Sequence, residues 1–260
     1  MGSLQKKQRN IFWRKQSING GQNMIYAAIL AGGMGSRMGS KDKPKQYLNI
    51  GGKPIIIHTV EKFCLHTEFR KILILCPKEW VEHTKGLIKK HIKNDGRIEV
   101  LEGGSVRNET IMKAIDYIDK AGDLKDDTVI VTHDAVRPFV TYRMIEENIK
   151  EAVVYGACDT VIPSTDTIVE SKDGNVISSI PDRAKMYQGQ TPQSFKAKKL
   201  KELYNSLSEE EKEILTDAAK IFVLKGEPVS LVRGEISNVK ITYPYDIAVA
   251  EALLKGEVKC

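Results

Sequence analysis

The chain has 260 residues, enough for one full core, and 41% hydrophobic with 28% charged residues is an ordinary globular composition. The formal charge of +6 invites a nucleic-acid reading, but Lys6, Lys7, Arg9, Arg14 and Lys15 come from a leading segment that holds no acid. With those five set aside, basic residues outnumber acids by one, so the body carries no polyanion footprint and nucleic acid is excluded as a partner.

Residues 1–23 read as a basic extension, disordered or expression-derived, and Ile11-Phe12-Trp13 is too short for a signal peptide's apolar stretch. Residues 24–260 are expected to form a single domain. No run of about eighteen apolar residues occurs, so no membrane span is expected. Cys64, Cys76, Cys158 and Cys260 have neither metal-type spacing nor a CxxC pair, which suits free thiols in a reducing cytoplasm.

The first strand is predicted over Ile25–Leu30, a short apolar run that breaks into Ala31-Gly32-Gly33-Met34-Gly35-Ser36-Arg37. Glycines let a backbone turn sharply and bring bare N–H groups to an anion. Arg37 and Lys45, the latter in Pro44-Lys45-Gln46, add charge suited to a triphosphate. A dinucleotide fingerprint fails because Met38 stands where its third glycine should be, and no glycine precedes Lys45 at P-loop spacing.

Further strands are expected at 71–76, 98–101 and 128–132, with helices at 54–66, 77–92 and Arg107–Lys120 between them. Strand and helix in alternation imply a mostly parallel sheet covered on both faces, with ligands beyond the carboxyl ends of the strands. The second half breaks this pattern. Residues 160–170 and 176–180, joined at Asp173-Gly174-Asn175, read as a protruding hairpin arm spanning about 160–182. Helices follow at 206–215 and 216–224, strands at 229–232 and 238–242, and a closing helix at 244–254 with Pro244 in its first turn.

Four segments carry candidate chemistry. Gly103-Gly104-Ser105-Val106-Arg107-Asn108-Glu109-Thr110 sits at a helix mouth, where free N–H groups favour an anion, although Ser105 as a simple cap is an equal reading. Thr132-His133-Asp134-Ala135-Val136-Arg137-Pro138 follows a buried strand; Asp134 suits Mg²⁺, or else an ion pair with the arginine three residues on that fixes the loop, and His133 suits a structural hydrogen bond better than a base. Pro181-Asp182-Arg183 precedes Tyr187-Gln188-Gly189-Gln190-Thr191-Pro192-Gln193, glutamines that could read polar edges beside an arginine fork. Lys240 lies in Asn238-Val239-Lys240-Ile241-Thr242. With no nucleophile elbow, HExxH or CxxC, the set points to positioned phosphate chemistry rather than covalent catalysis.

Taken in order, Leu-Ala-Gly-Gly-x-Gly-x-Arg-Met-Gly, Pro-Lys-Gln, Gly-Gly-x-x-Arg, His-Asp-Ala-Val-Arg-Pro, Asp-Thr-Ile, Thr-Pro-Gln-x-Phe and Asn-x-Lys-Ile-Thr resemble the bacterial cytidylyltransferases that make CDP-alditols. The resemblance covers about residues 24–254. It implies a Rossmann-like nucleotidyltransferase fold of the α/β class and attack by the acceptor's phosphate on the α-phosphorus of CTP, with Mg²⁺ or another divalent cation at Asp134. Arg37 and Lys45 would stabilise the triphosphate. Leu30, Ala31, Gly32 and Gly33 would meet CTP through the backbone. The segment Gly103, Gly104, Ser105, Val106, Arg107, Asn108, Glu109 and Thr110 would hold its base and ribose. Arg183 and Lys240 would position the acceptor, and Arg137 and Thr167 would reach the partner's acceptor site across a homodimer built on the arm. Within the family, Gly32, Thr132, Tyr187-Gln188-Gly189-Gln190 and Ala218 resemble the ribitol 5-phosphate branch, which serves teichoic acid or capsule assembly, although Ala135 departs from the serine often found there. The alternative acceptor is 2-C-methyl-D-erythritol 4-phosphate of isoprenoid biosynthesis.

Overall fold

The structure, a computed structural model, describes residues 24–33 and 43–256. The expected first strand forms as β1 (Ile25–Leu30), an interior strand of a seven-stranded sheet. Its side chains alternate: Ile25, Ala27 and Ile29 enter one buried cluster, and Tyr26 and Ala28 enter another on the opposite face. A small ladder, β2 (Asn49–Ile50) with β3 (Lys53–Pro54), precedes helix α1 (Ile55–Cys64). Then come β4 (Phe69–Cys76), α2 (Val81–His91), β5 (Ile98–Glu102), α3 (Arg107–Lys120) and β6 (Val129–Asp134). These match the expected alternation, with boundaries moved by one or two residues except at α2, which starts four residues late because Lys78–Trp80 forms a separate 3-10 turn.

The second half contains elements that lie outside the expectations above. Helix α4 (Tyr142–Tyr155) is capped by Thr141, whose Oγ1 accepts from Met144 N. Its helical period of Met144, Ile145, Asn148, Ile149, Ala152 and Val153, all buried, is the signal that finds it. Strand β7 (Ala157–Pro163) leads into the arm, and β8 (Tyr187–Lys196) returns from it. Helices α5 (Ala197–Asn205), α6 (Glu209–Glu213) and α7 (Ala219–Leu224), strand β9 (Ser230–Arg233) and helix α8 (Pro244–Lys255) complete the described chain. Pro244 opens α8 as expected, and Asp246 accepts from the Thr242 and Tyr243 N–H groups.

The sheet order is β5-β4-β1-β6-β8-β7-β9. Only β8 runs against its neighbours, pairing antiparallel with both β6 and β7. The parallel strands therefore end on one rim, where β8 begins. Helices α1, α2 and α4 cover one face of the sheet and α3, α5 and α7 the other. Fully buried Ile, Leu and Phe side chains such as Ile74, Leu73 and Phe195 each contribute roughly 1.5–3 kcal/mol to this arrangement. A third cluster, Ile50, Ile55, Val136, Ile241 and Ala250, pins the segment around Lys240 and helix α8 to the rim.

Three expectations need correction. The arm is not a full two-stranded hairpin: one isolated bridge, Glu170 with Ser179, joins its limbs, although Asp173 does build the turn by accepting from Asn175 N and Val176 N. Residues 238–242 form no strand, because Ile241 N donates to Val136 O in a loop and finds no sheet neighbour. The helix expected at 206–215 contracts to α6, since Ser208 caps it in a box with Glu211. The leading extension and Cys260 lie outside the described residues.

Candidate active site

Where β1 ends, Ala31 to Gly33 form one wall of a cleft of about 360 Å³. Gly104 to Arg107 and Thr110, at the mouth of α3, form a second wall, and Lys45, Gln46, Asp134 to Val136 and Lys240 close it. Gln46 ties two of these segments by donating from Nε2 to Ala31 O at 2.6 Å. This is the rim that the strand order favours for a ligand.

The second wall is built by close packing. A Cβ added to Gly104 would lie 2.5 Å from Glu109 Cβ, so only glycine fits there. Gly104 N donates to Thr110 Oγ1, and Glu109 accepts from both Ser105 N and Ser105 Oγ. These bonds hold the Glu109 carboxyl below its usual range. Ser105 is therefore not the expected helix cap; Val106 occupies that position without a side-chain bond, and the turn is closed from inside the helix. Gly32 and Gly33 are different. A Cβ on Gly32 would meet Thr110 Oγ1 at an ordinary 3.9 Å, and one on Gly33 would meet nothing within 4 Å. Packing does not demand these glycines; they leave bare backbone facing the cleft.

Asp134 ends β6 and gathers cations from three separate elements. Arg107, in the first turn of α3, donates through Nη1 to Oδ1. Lys240 Nζ lies 2.8 Å from Oδ2, and Arg137 Nε lies 3.8 Å from it. Burial pushes the Asp134 carboxyl up, but Arg107, Lys240 and Arg137 outweigh it and hold the group well below the usual carboxylate range. One carboxylate cannot neutralise three cations with Lys45 also in the lining, so the cleft keeps a positive surplus. Such a surplus in a partly desolvated hollow attracts polyphosphate strongly.

Several expected site residues stand behind the lining. Gly103 N donates to Cys76 O, Asn108 is buried, and Glu109 braces Ser105. Arg137, expected to reach a partner, is buried in its own chain, with Nη1 donating to Asn238 O at 2.8 Å. Reaching outward would require giving up that contact. Arg183 and Thr167 lie outside the lining; Arg183 is exposed on the arm and donates to Thr165 O. Arg37 lies outside the described residues. Of the glutamines expected to read polar edges, Gln190 and Gln193 are buried instead, Gln193 accepting from Arg107 Nη2 and Gln190 tied to the Lys240 loop, while Gln188 is exposed. Gln46, Ala135 and Val136 join the lining, and the Pro-Lys-Gln and His-Asp-Ala-Val-Arg motifs are the signals that contain them.

His133 is fully buried between Thr191 Oγ1 and Arg137 O, and burial pulls its pKa down to about 4. A neutral imidazole bonded at both nitrogens is structural, as the sequence suggested. For a divalent cation the donor set is a test. Among the described residues no three His, Cys, Asp or Glu side chains gather, so a protein-only cage is absent. A lone rim carboxylate fits Mg²⁺, which binds through one or two carboxylates and takes its other oxygens from phosphates and water.

Sheet topology, the bare backbone after β1 and the cationic rim together define an α/β protein with a site suited to phosphate groups. Residues 25–256 match the family described as 2-C-methyl-D-erythritol 4-phosphate cytidylyltransferase, and the chain belongs to it. It is similar to 4-diphosphocytidyl-2C-methyl-D-erythritol synthase from Anaerococcus prevotii, with 27% identity, a TM-score of 0.74, and coverage of 90% of this chain and 97% of that one. The 2-C-methyl-D-erythritol 4-phosphate cytidylyltransferase of Francisella tularensis shows 25% identity, a TM-score of 0.72, and coverage of 88% and 98%. That of Thermus thermophilus shows 25%, 0.66, 90% and 99%.

Proposed function

We propose that this cytidylyltransferase transfers the cytidylyl group of CTP to D-ribitol 5-phosphate, giving CDP-ribitol and pyrophosphate. The observation that carries the transfer chemistry is the rim cleft in which Asp134 meets Arg107, Arg137 and Lys240 beside Lys45. An oxygen of the acceptor phosphate forms a bond to the α-phosphorus while the α–β anhydride oxygen leaves with pyrophosphate. A phosphate monoester has a second pKa of about 6, so the nucleophile is already ionised near neutrality and no base is required. A His133 buried and held neutral agrees with that. Lys45, with Arg37, would balance charge developing on the leaving pyrophosphate. Leu30 to Gly33 would meet CTP through backbone groups, and Gly103 to Thr110 would enclose its base and ribose. Lys240, with Arg183, would hold the acceptor in line. Asp134 would hold Mg²⁺, which when bound supplies charge neutralisation on the phosphates.

Support for the acceptor divides. The ribitol reading rests on the residue pattern, and of those residues only Gly32 lines the cleft; Thr132 and Ala218 are buried and touch no ligand space. The second reading, 2-C-methyl-D-erythritol 4-phosphate, draws support from the family description and from all three solved structures, which makes it the better supported by likeness. Identities of 25–27% leave room for a change of acceptor within one fold. Pyrophosphate release measured with CTP, Mg²⁺ and each acceptor separates them. Faster release with ribitol 5-phosphate is expected, and faster release with the methylerythritol compound would replace our choice.

The arm is read as a dimerisation element, supported by Val169, Val176, Ile177 and Ile180, all at least half exposed. Free thiols at Cys64, Cys76 and Cys158 support a cytoplasmic setting. Among the described residues no helix is long and apolar enough to cross a membrane.

A further inference from the structure

Lys240 sits in a loop, residues 234–243, that has no regular structure of its own. An irregular segment holds a cation in place only if its backbone is fastened elsewhere, and here a buried amide pair supplies part of that fastening. Gln190, near the start of β8, uses both ends of its side chain on this loop. Its Nε2 donates to Glu235 O at 2.9 Å, and its Oε1 accepts from Asn238 Nδ2 at 3.1 Å. Asn238 is fully buried, and the same Nδ2 also donates to Thr191 O at 2.9 Å. The carbonyl of Asn238 then receives Arg137 Nη1, and Asn238 stands two residues from Lys240.

Gly234 shows how closely the tie is packed. A Cβ there would lie 2.4 Å from Gln190 Oε1 and 3.0 Å from Thr160 Cγ2. Gly234 N also donates to Val161 O, which leaves the backbone little room to retreat. On the far side of Lys240, Ile241 N donates to Val136 O. Lys240 is thus suspended between two anchored points, and on one side the amide pair is the buried polar anchor, beside the partly exposed Arg143–Glu235 ion pair at 3.0 Å.

We propose that Gln190 and Asn238 are positioning residues that hold Lys240 at the acceptor end of the cleft, neither of them touching substrate. The proposal rests on the reading of Lys240 as the residue that presents the acceptor phosphate. A lysine set loose by broken anchoring would still carry its charge but would spend less time aligned, so the loss should fall on the acceptor and spare CTP.

The test is a set of initial-rate measurements of pyrophosphate release, with the better of the two acceptors, on Asn238→Ala, Gln190→Ala, Lys240→Ala and the doubles with Lys240→Ala. Asn238→Ala and Gln190→Ala are each expected to raise the acceptor KM about tenfold while leaving the CTP KM within about twofold. On the Lys240→Ala background neither should add a further effect, because residues that act through one group are not additive. Gly234→Ala, which forces the tie apart by adding one methyl group, should reproduce the phenotype if either alanine variant fails to fold. Equal rises in both KM values, or effects that add fully to Lys240→Ala, would overturn the inference. An acceptor KM unmoved in Lys240→Ala itself would instead remove the role given to Lys240.

Discussion

Lys45 is buried to within 8% of full enclosure, yet it lines the cleft beside the bare backbone of Gly32 and Gly33. On the proposed function, a cation so placed would act on charge that grows as pyrophosphate departs. Lys45→Ala is expected to lower kcat by about 10²–10³-fold with the thermal melt nearly unchanged, and wild-type turnover would remove its role. A second residue matters through its proton. Asp159 pairs with Gln193 across β7 and β8; burial pushes its carboxyl up to about 7, with Asp217 adding to this and Gln193 and Arg107 opposing it. The folded state then binds that proton more tightly than the unfolded chain, so the stability contributed by Asp159 is fully present below about pH 4 and is lost as pH rises through about 7. Melting curves from pH 5 to 8 should show Asp159→Asn gaining on the wild type as pH rises, by on the order of 1 kcal/mol. Parallel curves would show that Asp159 is ionised throughout that range and that burial does not raise its carboxyl. Neither behaviour is legible in the residue letters. Asp134 could be singled out from its motif, but its three cations lie 27 residues before it, three after and over a hundred beyond, and only folding brings them together.

At the scale of elements, the turn into α3 is the most exacting. Gly104→Ala would drive a methyl group into Glu109 and open the wall that Thr110 and Glu109 close. The variant is expected to raise the CTP KM at least about tenfold in steady-state assays while α3 itself survives. An unchanged KM would place the nucleotide elsewhere. This element was readable because local periodicity and glycine spacing specify it, and the same holds for β1, β4, β6 and α8. Strand β8 was not. Its Tyr-Gln-Gly-Gln-Thr-Pro-Gln run has no two-residue alternation of apolar side chains, and it is a strand because β6 and β7 offer it partners on both sides. The opposite error occurred at 238–242, where β-branched residues suggest a strand but no edge is within reach.

The molecule as a whole places everything chemical on one rim and projects the arm from that same rim. The arm leaves the end of β7 and returns at the start of β8, and nearly every side chain from 165 to 189 is exposed. Sedimentation velocity is expected to give twice the chain mass, falling to the chain mass when Val176 and Ile180 are both changed to Glu; a wild-type monomer would dismiss the dimer. The surplus of cations over Asp134 bears on something else, the direction of flow. Cytidylyl transfer breaks one phosphoanhydride and makes another, so the bonds themselves set little bias. Charges that would draw in a triphosphate would retain pyrophosphate as readily, since both present the same adjacent phosphoryl oxygens. Synthesis and its reversal therefore share one grip, and net product depends on how quickly pyrophosphate is destroyed after it escapes.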